Sequence, residues 1–266
     1  MKKIVFYKMN GAGNDFVCLD NRTGELRLSK KQIARLCHRQ TGIGADGLLV
    51  LEKTKLRSAD FRMRYYNSDG GEASMCGNGA RCFARLIQRV TGWRKPSVRF
   101  QTGAGVIHAQ YIGNNVRIQL TAPTDCALNQ KIGNLIVHSI NTGVPHAIVF
   151  VKNAENVDVR EMGSALRWHE TFAPKGTNVN FAQVLKKNSI RLRTYERGVE
   201  DETLACGTGV TATALIAHLI HGWKPPIRVR VQGGDTLVVN FQKLGDDFQN
   251  VTLLGPAEVT FKGVWD

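Results

Sequence analysis

Residues Ser74–Cys82 read SMCGNGARC and residues Leu204–Ala212 read LACGTGVTA. Each stretch sets a cysteine before Gly-x-Gly and then a helix-like run, GARCFARLIQRV after Cys76 and GVTATALIAHLI after Cys206. The cysteines lie 130 residues apart, and the spacing recurs. Asn10 and Asn141 are 131 apart, Asp46 and Asn178 132, Gly103 and Gly233 130, and Pro123 and Pro256 133. Five landmarks in one order with one spacing point to two copies of a unit of about 130 residues. Two large copies mean two similar domains rather than a solenoid.

Strand-like runs dominate each copy, among them KIVFYKM, FVCLD, LLVLEK and FRMRYYN in the first and HAIVFV, VNFAQVL, SIRLRTY and TLVVNF in the second. Helical patterns are few. SKKQIARLCHR, capped by Ser29, and the run after Cys76 belong to the first copy, REMGSALRWHE and the run after Cys206 to the second. The fold class expected is α+β: two homologous domains, each a mixed, largely antiparallel curled sheet around a central helix, with the active site in the cleft between them. The domains are placed at residues 1–122, joined by a C-terminal strand in 257–266, and at residues 123–256. The last strand, EVTFKGVW, has no visible counterpart after Pro123 and is expected to return to the first domain.

The bulk properties narrow the function. The chain has 266 residues, 42% hydrophobic, with no apolar run long enough to span a bilayer, so no membrane partner is expected. The opening MKKIVFYKMNGAGNDF turns polar too soon for an export signal. Six cysteines in a chain this long suggest reduced thiols in a cytoplasm rather than a disulfide scaffold. The net charge of +14 is lopsided: residues 1–123 carry 21 Lys and Arg against 8 Asp and Glu, the remainder 15 against 14. These charges are spread among apolar residues and accompany no nucleic-acid motif, so a solvated face is the preferred reading. GIGADG at Gly42–Gly47 matches a dinucleotide fingerprint in letters only, because a helix precedes it and a strand follows. His218 and His221 have no acidic ligand nearby, and no metal is expected.

A thiol ahead of a helix meets unpaired N–H donors and partial positive charge, which favour a thiolate and also bind carboxylates. One such site is a nucleophile or an anion pocket. Two, one per homologous half, suit a reaction that needs two similar bases. Inverting an α-carbon removes a proton from one face and delivers one to the other, with an acid/base on each side. Cys76 and Cys206 are the candidates. Cys82 falls on another face of its helix and reads as core, and Cys18, Cys37 and Cys126 read as structural.

KMNGAGNDF, YYNSDGGEASMCGNGARC, NTGVPH, GTNVNF and YERGVEDETLACGTG, in order from Lys8 to Gly209, resemble the diaminopimelate epimerase family. The resemblance implies a cofactor-free, two-base epimerase that interconverts LL- and meso-diaminopimelate in lysine and peptidoglycan precursor synthesis, commonly as a homodimer. It assigns the two acid/base roles to Cys76 and Cys206, one thiolate and one thiol at rest. Gly77, Asn78, Gly207 and Thr208 match the cradle for the reacting end of the substrate. Asn14, Asn67, Asn178, Glu196 and Arg197 match substrate-binding positions, and His146 and Glu196 match positions that tune the thiols. Three departures stand out: Val144 where many members have Asn, Gly47 where many have Gln, and a segment Val199–Glu202 one residue longer than usual. Lost polar contacts there suggest an alternative, a related two-thiol racemase with relaxed specificity towards glutamate. A proline-racemase-like enzyme is a further alternative, and a basic nucleic-acid-binding protein the alternative of another class.

Overall fold

The computed structural model describes residues 3–266. Met1 and Lys2, which head the stretch read as lacking an export signal, lie outside the described residues. The chain divides into two compact units, Met1–Ile118 with Gly255–Asp266, and Gln119–Leu254.

The first unit contains β1 (Ile4–Gly11), β2 (Asn14–Asp20), α1 (Lys30–Cys37), β3 (Gly47–Glu52), β4 (Phe61–Asn67), β5 (Glu72–Ala73), α2 (Gly77–Thr91), β6 (Ser97–Thr102), β7 (Gly105–Ile112) and β8 (Asn115–Gln119), the last residue of which opens the second unit. The pairs β2–β3 and β4–β6 are parallel, while β1–β2, β3–β4, β6–β7 and β7–β8 are antiparallel. In the second unit the order repeats: β9 (Thr124–Ile132), β10 (Leu135–Asn141), β11 (Pro145–Phe150), α3 (Val159–Arg167), β12 (Asn178–Lys186), β13 (Ser189–Glu196), β14 (Asp201–Thr203), α4 (Gly207–His221), β15 (Ile227–Arg230), β16 (Thr236–Leu244) and β17 (Asp247–Pro256), whose last two residues belong to the first unit. Here β11–β12 and β13–β15 are the parallel pairs. The final strand, β18 (Glu258–Trp265), runs antiparallel to β1, with Ile4 opposite Trp265.

One expectation needs correction. The strand after Pro256 does have a counterpart after Pro123: β9 pairs with β10 as β18 pairs with β1. TDCALNQKI carries no strand signal, because most of β9 is exposed and shows no alternation. Its irregularity is built in: Asp125 and Asn129 take positive φ, and the register with β10 slips twice. The short strands β5 and β14 also left no periodic trace.

Each unit packs its sheet between two kinds of helix. Ile33 and Cys37 of α1 cover Val17, Leu19, Leu48 and Val50 on one face, and α3 does the same with Val159 and Leu166 against Val149, Phe181 and Tyr195. α2 packs against β1, β2, β3 and β7, and α4 against β10, β11, β12, β15 and β16. Strands caught between two helical layers read as continuous apolar runs, which explains GLLVLE in β3. α4 is buried from Gly209 through Ala217, as a helix apolar on every side must be.

The outer helix of the second unit approaches its sheet through a glycine. A Cβ on Gly163 would lie 2.5 Å from Tyr195 Cβ. Gly163→Ala gains about 1 kcal/mol of helix propensity but forces α3 off β13, an overpacking cost of about 1–3 kcal/mol. The variant is expected to unfold at lower denaturant concentration than the parent. An unchanged or raised midpoint would show that α3 has room to move.

Candidate active site

The two outer helices begin in the ordinary way. Ser29 caps α1, forming a capping box with Gln32, and the Asp158 carboxylate caps α3 through the Glu161 N–H. The two buried helices begin with cysteine. Cys76 is the N-cap of α2 and Cys206 the N-cap of α4, both with extended backbone. Sulfur ranks below Ser, Thr, Asp and Asn as a helix cap, so capping strength does not account for this pair.

In the first unit, Cys76 is partly exposed, and its Sγ accepts from the Gly79 N–H at 3.4 Å. A Cβ on Gly79 would lie 3.3 Å from Leu49, 3.4 Å from Cys76 and 3.5 Å from Phe16, so the first turn sits close against β2 and β3. Asn14 reaches the same sulfur: its Oδ1 lies 3.6 Å from Sγ, and its Nδ2 donates to Asp46 Oδ2 at 2.6 Å. Asp46 is held by Arg39 at 2.8 Å. Its neighbour Asp15 pairs with Lys8 at 2.7 Å and Arg39 at 2.9 Å. Burial works against ionising Asp15, but the bonds from Arg39 and Lys8 outweigh it and hold its carboxyl at about 2. The Lys8 ammonium also donates to the Gly44 carbonyl.

The side chain of Asn78 turns inward, where its Oδ1 accepts from Arg81 at 2.9 Å. Arg81 is wholly buried and also donates to the carbonyls of Gly11 and Pro256. Arg81 thus holds the Asn78 amide oxygen inward, beneath the helix start. Asn67 ends β4, exposed, opposite Gly47 in register. The Tyr65 hydroxyl donates to Asn67 Oδ1 at 2.8 Å. Gly47 now has a structural account, because a Cβ there would sit 2.8 Å from the Tyr65 ring and 2.5 Å from the Tyr66 carbonyl. The volume another residue would occupy at position 47 is filled by Tyr65, fixed edge-on against Phe16. Arg81 and Tyr65 were not singled out from sequence. Tyr65 stands in a strand pattern where an aromatic is unremarkable, and nothing marks Arg81 as buried.

In the second unit, Cys206 is 6% exposed, with Thr208 Oγ1 at 3.4 Å from Sγ. The Thr208 carbonyl accepts from the Thr142 hydroxyl, which anchors the first turn of α4 to the β10–β11 connection. Beneath that turn lies a buried polar layer. Asn180 Nδ2 donates to His146 Nδ1 at 3.1 Å and to the Ala147 carbonyl at 3.0 Å, and its Oδ1 accepts from Thr194. A Cβ on Gly209 would strike Asn180 Oδ1 at 2.4 Å, so this layer needs glycine above it. His146 is fully buried and accepts at Nδ1, which puts its proton on Nε2, an atom without a protein partner. Burial, and then the charge of Arg197, push His146 down to about 3. It is uncharged at neutral pH.

Asn178 bridges two segments, with Nδ2 donating to the Pro145 carbonyl and Oδ1 accepting from the Arg197 N–H. Glu196 accepts from the Thr203 hydroxyl at 2.9 Å, and the Arg197 guanidinium donates to the Gly176 carbonyl. The lengthened segment Val199–Glu202 is absorbed in this turn. Glu200 takes φ 59°, and its carboxylate returns to the Gly198 N–H and to buried Arg167. Val144 lies in the bend before β11, where its carbonyl accepts from the Thr142 N–H. Among the described residues no group of three or more His, Cys, Asp or Glu is placed to hold a metal ion, and no helix is long and apolar enough to cross a membrane.

His146 makes folding sensitive to acid. The unfolded chain binds a proton near the ordinary value of 6.5, whereas the folded protein binds it only near 3. Stability is therefore full above 6.5 and falls as the pH drops from 6.5 towards 3. His146→Gln, neutral throughout, is expected to lose less stability than the parent across that window, as read from denaturant midpoints. Parallel losses in the two proteins would mean that His146 is not the sensitive group.

A sequence model of the diaminopimelate epimerase family matches residues 6–124 and 138–259. A diaminopimelate epimerase of Chlorobaculum tepidum is 43% identical over 261 residues, covering 96% of this chain and 98% of that protein. One from Aquifex aeolicus is 42% identical, covering 97% and 96%. Among solved structures, a PhzF-family phenazine biosynthesis protein of Bacillus anthracis superposes with a TM-score of 0.75 at 16% identity, covering both chains entirely. A hydroxyproline epimerase of Agrobacterium vitis gives 0.73 at 15% identity, covering 99% of this chain and 92% of that one. These distant likenesses establish the same α+β fold. The family match over most of the length, with full-length relatives above 40% identity, establishes that the chain belongs to the diaminopimelate epimerase family of isomerases.

Proposed function

We propose that the chain interconverts LL- and meso-diaminopimelate with Cys76 and Cys206 as the acid/base pair, each serving one face of the substrate α-carbon. The observation that carries this reading is the placement of both thiols: each is the N-cap of the buried helix in its repeat, while Ser29 and Asp158 cap the outer helices. One thiolate takes the α-proton, and the electron pair of the C–H bond moves onto the α-carbon and its carboxylate. The other thiol then gives its proton from the opposite face. One proton leaves and one arrives, so no oxidant or reductant is consumed. The first-turn N–H groups at Gly77, Asn78, Gly207 and Thr208 are suited to the carboxylate, whose negative charge grows as the carbanion forms. Donors aimed at developing charge favour the transition state over the ground state.

Asn14, Asn67, Asn178, Glu196 and Arg197 complete the reading as groups for the amino and carboxylate ends of a doubly zwitterionic substrate. Tyr65 holds Asn67 by its amide oxygen and so turns the amide N–H outward, towards a carboxylate. The Tyr65 ring filling the space at Gly47 speaks against relaxed specificity towards glutamate. On this reading the reaction serves lysine and peptidoglycan precursor synthesis in the cytoplasm, with the chain acting as a homodimer.

With LL-diaminopimelate in heavy water, deuterium is expected at the α-carbon together with meso product. Cys76→Ser and Cys206→Ser should each lower kcat by about a hundredfold or more. Variants that turn over at the parental rate would remove the two-thiol mechanism. Tyr65→Phe is expected to raise KM about fivefold, the worth of one hydrogen bond, with little change in kcat. In an Asn67→Ala background that penalty should vanish. Additive penalties in this cycle would show that Tyr65 acts elsewhere.

A further inference from the structure

Arg167 is a buried cation in the last turn of α3, its side chain only 6% exposed, and each of its guanidinium nitrogens is engaged. Nη1 donates to the Lys175 carbonyl at 3.1 Å. Nε and Nη2 donate to one oxygen of Glu200, at 3.3 and 3.1 Å. The Trp168 ring covers the guanidinium, its centroid 3.8 Å from Cζ. The two segments that Arg167 grips both lead to Arg197. On one side, the Gly176 carbonyl accepts from the Arg197 guanidinium, and a Cβ on Gly176 would collide with Arg167, so glycine lets that peptide lie against the buried cation. On the other side is the turn that carries Arg197 itself. The Glu196 carbonyl accepts from the N–H groups of Val199 and Glu200, and the Glu200 carboxylate folds back to accept from the Gly198 N–H at 2.9 Å and the Tyr195 hydroxyl at 3.4 Å. Glu200 stands at φ 59°, a left-handed conformation that suits glycine better than a residue with a Cβ. Its value at this position lies in the carboxylate, which collects donors from three residues.

We infer that Arg167 and Glu200 are positioning residues that place Arg197, with Glu196 beside it, for the charged ends of the substrate. An arginine side chain is long and rotatable, and its planar fork binds a carboxylate well only when it is held in place beforehand. Arg167 holds it from two directions, through the Lys175–Gly176 peptide and through Glu200. The lengthened segment Val199–Glu202 is then the device that brings a carboxylate to Arg167. This inference rests on the reading of Glu196 and Arg197 as substrate-binding groups and names what fixes them.

The test is the steady-state KM and kcat for LL-diaminopimelate. Glu200→Gly eases the positive φ while removing the carboxylate. A role in the backbone bend alone would leave the kinetics parental. Positioning raises KM about tenfold, the worth of the lost charge-assisted bonds, with kcat within about twofold of the parent. Glu200→Gln keeps an oxygen for the Gly198 N–H and the guanidinium, and should recover most of that affinity. Arg197→Ala is expected to raise KM by itself, and Glu200→Gly in that background should add nothing. If Glu200→Gly does not fold, Trp168→Ala decides, because a ring that is 63% exposed can be removed from a folded chain. That change uncovers Arg167 and should raise KM about threefold, the worth of one exposed cation–π contact, again only while Arg197 is present. A parental KM in the deciding variant, or a penalty that adds to that of Arg197→Ala, overturns the inference. A parental KM in Arg197→Ala defeats instead the reading of Arg197 as a substrate-binding group.

Discussion

A helix that begins inside a folded unit brings backbone N–H groups with it that cannot be left to water. Everything distinctive about this protein follows from how α2 and α4 meet that demand. At α1 and α3, nearer the surface, oxygen caps do the work. At the two buried helices the chain gives up the better cap for a titratable sulfur. At Cys76 the sulfur still answers one donor, the Gly79 N–H. At Cys206 the side chain makes no capping bond at all. Sulfur at a helix start is a weak structural device and a strong chemical one, because the field that leaves N–H groups wanting a partner also favours negative charge there.

Glycine makes this arrangement possible at a few defined points. At Gly79 the first turn of α2 sits close on Phe16 and Leu49, and Gly209 lets α4 lie directly on the Asn180 amide. Gly11 brings the end of β1 within 3.0 Å, measured from an added Cβ, of the Asn78 carbonyl. An added methyl would be hardest to fit at Gly209, 2.4 Å from Asn180 Oδ1, and tight at Gly11, while at Gly79 the neighbouring side chains need give little. In the second motif Gly209 is thus a packing requirement, whereas a Cβ on Gly77 would meet nothing nearer than Ile118 at 3.9 Å. The same reasoning explains why Asn78 and Thr208 differ. The x position must only present backbone outward, so its side chain is free to brace Arg81 in one unit and to meet Cys206 in the other.

Much of this was legible in the sequence, for a physical reason. The repeat was visible because both copies keep residues whose types are dictated locally: a turn glycine, a buried run, a cysteine before a helix. Ser29 announced α1 as an N-cap that any chain would use, and the structure adds Gln32 to complete a capping box. β9 was not legible, since an exposed, irregular edge strand imposes no alternation on its side chains. Arg81 was invisible for the opposite reason: its burial is paid for by carbonyls at Gly11 and Pro256, distant in sequence. The neutrality of His146 was equally hidden, because it depends on Asn180 and Arg197, which reach it only through the register of β11, β12 and β13.

The departures from the family pattern show how such a site tolerates change. Gly47 reads in isolation as a deletion of a polar side chain. In the fold the Tyr65 ring occupies the space beside Gly47, and its hydroxyl donates to Asn67. The extra residue in Val199–Glu202 reads as a disruption beside Glu196 and Arg197. It is taken up by one residue at positive φ, Glu200, whose carboxylate ties the bulge to Arg167 and leaves the β13–β14 pairing of Glu196 with Asp201 in place. Neither change touches the two sulfurs or the first turns behind them. On the two-thiol reading, the polar residues around the helix starts need only keep their atoms in position.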